Sequence, residues 1–287
     1  IFSHYSLNDF VDGLAATQAI AQSGISPSIV RLYDGFDARH TLLSASEAIT
    51  ELSWLKRKLL ERDSLVVALS HIAEAWYKPH LIVISESGDE DIESLVVGAE
   101  HEAVQEILRS HGARELKDKV AETWFEHRYT LSFEKVQHLV QNNCFIDTID
   151  LFVPWSKMAL THSEILRLVS PVALVFAHIS HLTPQGACMY LTFVGRKIKE
   201  RIETYDSIWR GVLDYCLAND IGISDHHGIG ILKQEAFKKM RGPEWFKLFK
   251  AIKSYADPNG ILNPGQFGCP VVRDPEREPT VEGQFSE

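Results

Sequence analysis

The chain has 287 residues, 45% of them hydrophobic and 24% charged, enough to bury one large core or two modest ones. A net charge of −10 and a pI near 5.7 exclude a general nucleic-acid binder, which needs clustered Lys and Arg, but still allow a local basic pocket for a small anion. No apolar run approaches the roughly 20 residues of a membrane-spanning helix, and four scattered cysteines (Cys144, Cys188, Cys216, Cys269) without a CxxC pair point to free thiols in a reducing, cytoplasmic setting.

Residues 6–23 place Phe10, Leu14 and Ile20 at helical spacing, with Ser6 or Asn8 available as N-cap. A β-rich run at 26–34 follows. Residues 44–62 read as a helix, 65–69 as a buried strand, and 81–85 as another strand closed by the turn residues Ser87, Gly88 and Asp89. Residues 90–111 are amphipathic and stop at Gly112, a good C-cap, and a further helix is expected across 117–127. Strands at 172–178 and 187–194 flank the turn Thr183-Pro184-Gln185-Gly186, and 197–218 form a second amphipathic helix. The order strand, helix, strand, strand, helix predicts an α+β fold: an antiparallel sheet with helices packed on one face. Residues 270–287, rich in Pro and Glu, read as a tail without a core of its own. No internal repeat is visible. The first residue is Ile1, and 1–10 already read as structured sequence, so the chain is expected to begin within a longer gene product.

The most informative stretch is 223–230, ISDHHGIG. Glycines let a backbone approach a ligand closely or adopt positive φ, and imidazoles move protons near neutral pH. The alternative is a helix N-terminus capped by Ser224 or Asp225, with His226 and His227 solvated. Gly228-Ile229-Gly230 lacks the third glycine of GxGxxG and the lysine of a P-loop, so no autonomous dinucleotide site is expected. His178 and His181, with His226 and His227, are zinc ligands by type. Their spacing matches no ligand pattern, and on an alternating strand His178 and His181 point to opposite faces; no metal is expected. Tyr190, in GACMYLTF, is either a core residue or an acid–base group, the latter only if its pKa falls from about 10. The segment 257–268 carries turn signals at Asn259-Gly260 and Asn263-Pro264-Gly265, whose asparagines either shape the loop or contact a ligand.

Six motifs then occur in a familiar order: Arg31-Leu32-Tyr33-Asp34, the WFEHRY of 124–129, Val153-Pro154-Trp155, GACMY ending at Tyr190, SDHHGIG and DPNGILNPG. Over residues 5–268 the chain resembles the C-terminal domain of FAD-linked oxidases of the vanillyl-alcohol-oxidase superfamily, most of all the alkyldihydroxyacetonephosphate synthase branch. That resemblance implies a ferredoxin-like cap domain over 1–268 plus C-terminal helices, with a polar tail at 269–287. It implies FAD as cofactor, held by a separate N-terminal FAD-binding domain that would be the partner of this chain, without which the chain would be inactive. A small anionic substrate and a homodimer are further expectations. By the same resemblance Tyr190 removes a proton beside a ketone, His226 and His227 stand near the flavin, Arg128 and Lys135 meet the substrate anion, and Asn263 reaches the flavin.

The chain departs from the synthase pattern at Asp225, where a third histidine is usual, and at Lys135, where arginine is usual. A lysine meets an anion as a point charge without bidentate geometry. The hydroxy-acid dehydrogenase branch carries a His-x-Gly-Asp-Gly-Asn segment linked to metal binding, and Glu-His at positions 226–227. Here AHISHLTPQG stands at 177–186 and His-His at 226–227, which leans towards the synthase-like branch. The alternatives are a flavin dehydrogenase of 2-hydroxy acids and a non-catalytic module that keeps the cap fold.

Overall fold

The computed structural model describes residues 1–38, 78–86, 93–129, 141, 143–195 and 201–265. The helix expected at 44–62, the strand at 65–69, the turn at 87–89, Lys135, Cys269 and the tail at 270–287 lie outside the described residues. The chain divides into two units, Ile1–His227 and Gly228–Glu287.

The first unit is built on seven strands: β1 (Phe2–Ser6), β2 (Ile29–Tyr33), β3 (His80–Ile84), β4 (Arg114–Glu115), β5 (Phe145–Pro154), β6 (Leu174–Ser180) and β7 (Gly186–Gly195). They form one sheet in the order β4-β1-β3-β2-β6-β7-β5, every neighbour antiparallel. Its helices are α1 (Phe10–Gln22), the single turn α2 (Gly35–Asp37), α3 (Glu93–Ser110), α4 (Lys119–His127), α5 (Trp155–Val169) and α6 (Arg201–Ala218). The N-cap of α1 is Asp9, whose carboxylate accepts the Asp12 N–H at 2.8 Å, rather than Ser6 or Asn8. Ser6 is already committed to the end of β1, a strand the helical periodicity had obscured. Gly112 ends α3 as expected, at φ +74°.

Helices α1, α3, α5 and α6 lie on one face of the sheet, joined to it by contacts such as Gly13 on Leu32, His101 on Ser3, and Tyr205 and Trp209 on Asp147. The short α4 crosses the opposite face at the β1-β3-β2 end, where Ala121 and Trp124 bury Tyr33, Ile82 and Ile84. That is why β3 reads as a continuous apolar run: both of its faces are covered. Strand β7 behaves differently. Met189, Leu191 and Phe193 are fully buried under the helices, each worth about 1.5–3 kcal/mol, while Tyr190, Thr192 and Val194 are half-buried on the opposite face. The candidate site lies there.

The topology repeats where the sequence does not. The run β1-α1-β2-β3-α3 has local strand order β1-β3-β2, and β5-α5-β6-β7-α6 has order β5-β7-β6. The halves meet through β2 and β6, at Leu32↔Ile179 and Tyr33↔His178. With β4, the first half has the 4-1-3-2 order of a ferredoxin-like unit. Apolar alternation specifies such a unit without requiring residue identity, so the repeat leaves no trace a sequence comparison within the chain would find. Neither β5 nor α5 was read from periodicity, because Asp147 and Asp150 interrupt the apolar pattern of β5.

In the second unit α7 (Gln234–Ala256) breaks at Gly242, φ +74°, immediately before Pro243, which has no N–H to donate and pushes its predecessor out of the helical region. Trp245 stacks on Phe249 at 5.3 Å. Cys144, Cys188 and Cys216 are free thiols, and no helix among the described residues is long and apolar enough to cross a membrane.

Candidate functional site

Strand register assembles the site. Tyr33 pairs with His178, His178 with Tyr190, and Tyr190 with Asp150, so these four side chains form one row across β2, β6, β7 and β5 on the face opposite the main helix layer. The rings of His178 and Tyr190 stack at 4.8 Å and 14°. On its other side Tyr190 faces His226 at 5.9 Å and 20°, and His227 meets it edge-on at 5.2 Å. One phenol is thus surrounded by three imidazoles.

His178 is locked. Its Nε2 lies 2.8 Å from the Arg31 guanidinium, which can only donate, so Nε2 accepts and the proton sits on Nδ1, 3.0 Å from the Asp37 carboxylate. Burial first, and then the charge of Arg31, lower its pKa to about 4, keeping the ring neutral. It therefore holds Tyr190 flat rather than exchanging protons. Arg31 itself lies against the rings of Tyr33 and Trp124, at 5.8 and 5.3 Å.

The His226-His227 loop is held by a residue the sequence reading did not single out. Asp150 is fully buried, and its Oδ2 accepts the backbone N–H groups of Asp225, His226 and His227 at 2.8, 2.7 and 2.9 Å, and the Ser224 hydroxyl at 3.0 Å. Three successive amides converging on one oxygen make an anion-binding nest, here filled by the protein's own carboxylate. Neither Ser224 nor Asp225 caps a helix; the loop is a nest rather than a helix N-terminus. The signal available in the sequence was an acid at the centre of an apolar strand. The glycines that follow adopt φ +79° (Gly228) and +56° (Gly230), with nothing crowding either, so their role is backbone conformation.

His181 corrects the expectation drawn from strand alternation. Strand β6 ends at Ser180, and His181 turns at φ +51°, which brings its ring to the same side as His226, 4.5 Å away. Its Nδ1 lies 2.8 Å from Asp225 Oδ2, and His226 Nδ1 lies 3.1 Å from the same oxygen. Burial would raise the Asp225 pKa, but the bonds and charges of the two imidazoles outweigh it and the group is lowered. Beneath them Cys188 is buried, its thiol pushed up by burial first and then by the Asp225 and Asp150 carboxylates.

Of the residues expected at a site, Tyr190, His226 and His227 come together. Arg128 ends α4, bonded to the Phe125 carbonyl with its guanidinium over the rings of Phe125 and Tyr129, at 3.6 and 4.3 Å. Asn263 belongs to the second unit, at φ +48° in a loop organised by Asp257, which accepts the N–H groups of Ile261 and Leu262. Beyond these, Asp150, Arg31 and Asp37 carry the geometry. The residues fit the neighbourhood of a flavin ring rather than a grip on its phosphates. The face offers a phenol and half-exposed imidazoles, while the chain has neither a GxGxxG nor a P-loop sequence.

The model of the family described as FAD linked oxidases, C-terminal domain, matches residues 4–267, and the chain belongs to that family. Alkyldihydroxyacetonephosphate synthase from Dictyostelium discoideum is 22% identical, over 94% of this chain and 44% of that protein. A stretch of D-2-hydroxyglutarate dehydrogenase from Stutzerimonas stutzeri is 43% identical over 45 residues, 16% of this chain. Among solved structures, an alkyldihydroxyacetonephosphate synthase superposes with a TM-score of 0.62 at 20% identity, covering 93% of this chain and 44% of that one. p-Cresol methylhydroxylase gives 0.56 at 15%, covering 96% and 54%. The chain spans about half the length of the relatives it matches throughout.

Proposed function

We propose that this chain supplies the substrate side of the flavin site in an FAD-dependent oxidoreductase of the alkyldihydroxyacetonephosphate synthase type, working with an FAD-binding domain. The observation that carries the reading is Tyr190, a half-buried phenol between His178 and His226 with His227 edge-on, on an otherwise well-packed sheet. Bound FAD would supply the electron-accepting power that side chains lack. The chain's own residues handle protons and position. Tyr190 gives up its own phenolic proton to His227 and His226, which pass it on to solvent because both rings are partly exposed, and so takes the proton from the carbon beside the substrate carbonyl. His178, with its proton fixed on Nδ1, holds the phenol in plane. Arg128 and Lys135 are the proposed partners of the substrate anion, and Asn263 the proposed flavin contact.

Tyr190→Phe in the FAD-containing protein tests this. Turnover is expected to fall by about 10²-fold or more with the flavin spectrum unchanged; unchanged turnover would remove Tyr190 from the mechanism.

The match to a D-2-hydroxyglutarate dehydrogenase favours a second reading, a flavin dehydrogenase of 2-hydroxy acids. Anaerobic mixing separates the two. A flavin spectral change with acyl-dihydroxyacetone phosphate and none with D-2-hydroxy acids supports the first, and the reverse supports the second.

A further inference from the structure

We propose that Arg31, with the hydroxyls of Tyr33 and Ser180, anchors an oxyanion of the substrate, a carboxylate or a phosphate, one ring away from Tyr190. The three side chains share the site face. Arg31 and Tyr33 are alternate residues of β2. Leu32 pairs with Ile179 and Tyr33 with His178, and the same register continued by one residue sets Ser180 opposite Arg31. The Arg31 guanidinium donates to His178 Nε2 at 2.8 Å, and the His178 ring stacks on Tyr190 at 4.8 Å. A single imidazole therefore separates the cation from the phenol.

Each of the three side chains has unused capacity to donate. A guanidinium carries five N–H donors in a rigid fork, and among the described residues Arg31 makes one hydrogen bond and no ion pair with a carboxylate. The rings of Tyr33 and Trp124, at 5.8 and 5.3 Å, fix its position without supplying an oxygen acceptor. Asp37 does not fill that place, since its carboxylate takes the other nitrogen of His178 at 3.0 Å. Tyr33 is fully buried and Ser180 is 6% exposed, and neither hydroxyl has a hydrogen-bond partner among the described residues. Burial raises the Tyr33 phenol above its ordinary pKa, against the opposing charge of Arg31, so it keeps a proton to give. Buried hydroxyls are nearly always bonded, and two orphans beside one cation with free donors mark a missing acceptor. The charge decides its class: a cation is repelled and a neutral group leaves Arg31 unanswered, whereas the arginine fork matches the paired oxygens of a carboxylate or phosphate.

The proposal rests on the reading of Tyr190 only in calling the anion the substrate's. It adds a third cation to Arg128 and Lys135, one joined to the phenol through His178. A phosphate is the anion of the synthase reading and a carboxylate that of the 2-hydroxy-acid reading, so the ligand Arg31 prefers bears on the substrate class.

The test is a nuclear magnetic resonance titration of the full chain, followed at the Arg31 side-chain Nε–H resonance, which is identified by its loss in Arg31→Lys. The titrants are dihydroxyacetone phosphate, D-lactate and neutral dihydroxyacetone. A saturable shift is expected with an anion and none with dihydroxyacetone; a response to the phosphate ester alone identifies a phosphate site, and one to D-lactate alone a carboxylate site. Tyr33→Phe and Ser180→Ala, followed at the same resonance, should each weaken binding about threefold to tenfold. Without anion their thermal midpoints should be unchanged or higher, because each removes an orphaned hydroxyl, whereas a merely structural role predicts lower midpoints and unchanged binding. In the FAD-containing protein Arg31→Lys should raise KM about tenfold or more, with a smaller fall in kcat. No shift of the Arg31 resonance with either anion would overturn the proposal, and so would equal binding by the unaltered chain, Tyr33→Phe and Ser180→Ala. Anion binding that follows these variants while Tyr190→Phe keeps full turnover would sustain the anchor and remove the reading of Tyr190.

Discussion

A buried carboxylate has exchanged its hydration shell for protein donors, and at Asp150 the exchange holds the site together: three amides and a hydroxyl are satisfied by one side chain. Replacing it with alanine leaves those donors without an acceptor, each worth about 1–3 kcal/mol while buried and less once the loop reaches water. Asp150→Ala is therefore expected to lose about 3 kcal/mol of stability in denaturant unfolding, and Asp150→Asn, which keeps one acceptor oxygen, less. Equal stability of Asp150→Ala and the unaltered chain would mean that the loop holds its shape without the nest. Tyr190→Phe should behave oppositely, costing turnover and little stability. Comparing the two variants separates the residue that builds the site from the residue proposed to act in it.

Strand pairing creates two further dependences. His4 on β1 and His80 on β3 share one hydrogen bond at 2.8 Å. Burial lowers His4 to about 4, and burial followed by the charge of His4 lowers His80 to about 4, against an ordinary 6.5. Between those values the unfolded chain takes up protons that the folded chain refuses. Stability should thus be full above about pH 6.5 and decline as the pH falls towards 4, by at most about 3 kcal/mol for each imidazole. Urea midpoints measured down from about pH 7.5 would show the decline, and His80→Leu should make it shallower while leaving the parts due to His4 and His178; a flat profile in the unaltered chain would contradict the burial of these imidazoles. At the β5–β7 end, a Cβ on Gly186 would come 2.4 Å from the Val153 carbonyl oxygen and 2.9 Å from Pro154 Cα. Both are backbone atoms and cannot turn aside. Gly186→Ala is expected to cost about 2–3 kcal/mol and lower the thermal midpoint, and a neutral result would mean that the hairpin end yields readily.

For the molecule as a whole, the proposed division of labour between a substrate side and a separate flavin-binding domain predicts that the 287-residue chain purifies without a stoichiometric flavin band. A band near one flavin per chain would show that these residues hold FAD themselves. The sequence by itself determined the α+β class, the amphipathic helices read at 90–111 and 197–218 and found at Glu93–Ser110 and Arg201–Ala218, the paired strands around Gly186, and the family, because apolar periodicity and six ordered motifs are local properties of the chain. It also singled out Tyr190, His226 and His227, since paired histidines before Gly-x-Gly are conspicuous in any context. Only the tertiary structure decided that Tyr33, His178, Tyr190 and Asp150 form one row, because register between distant strands is fixed by the packing of the whole sheet. It alone turned His181 back onto Asp225 and set Cys188 beneath His226. A strand's alternation says which way a side chain points only while the strand lasts, and β6 ends one residue too soon for that rule to reach His181.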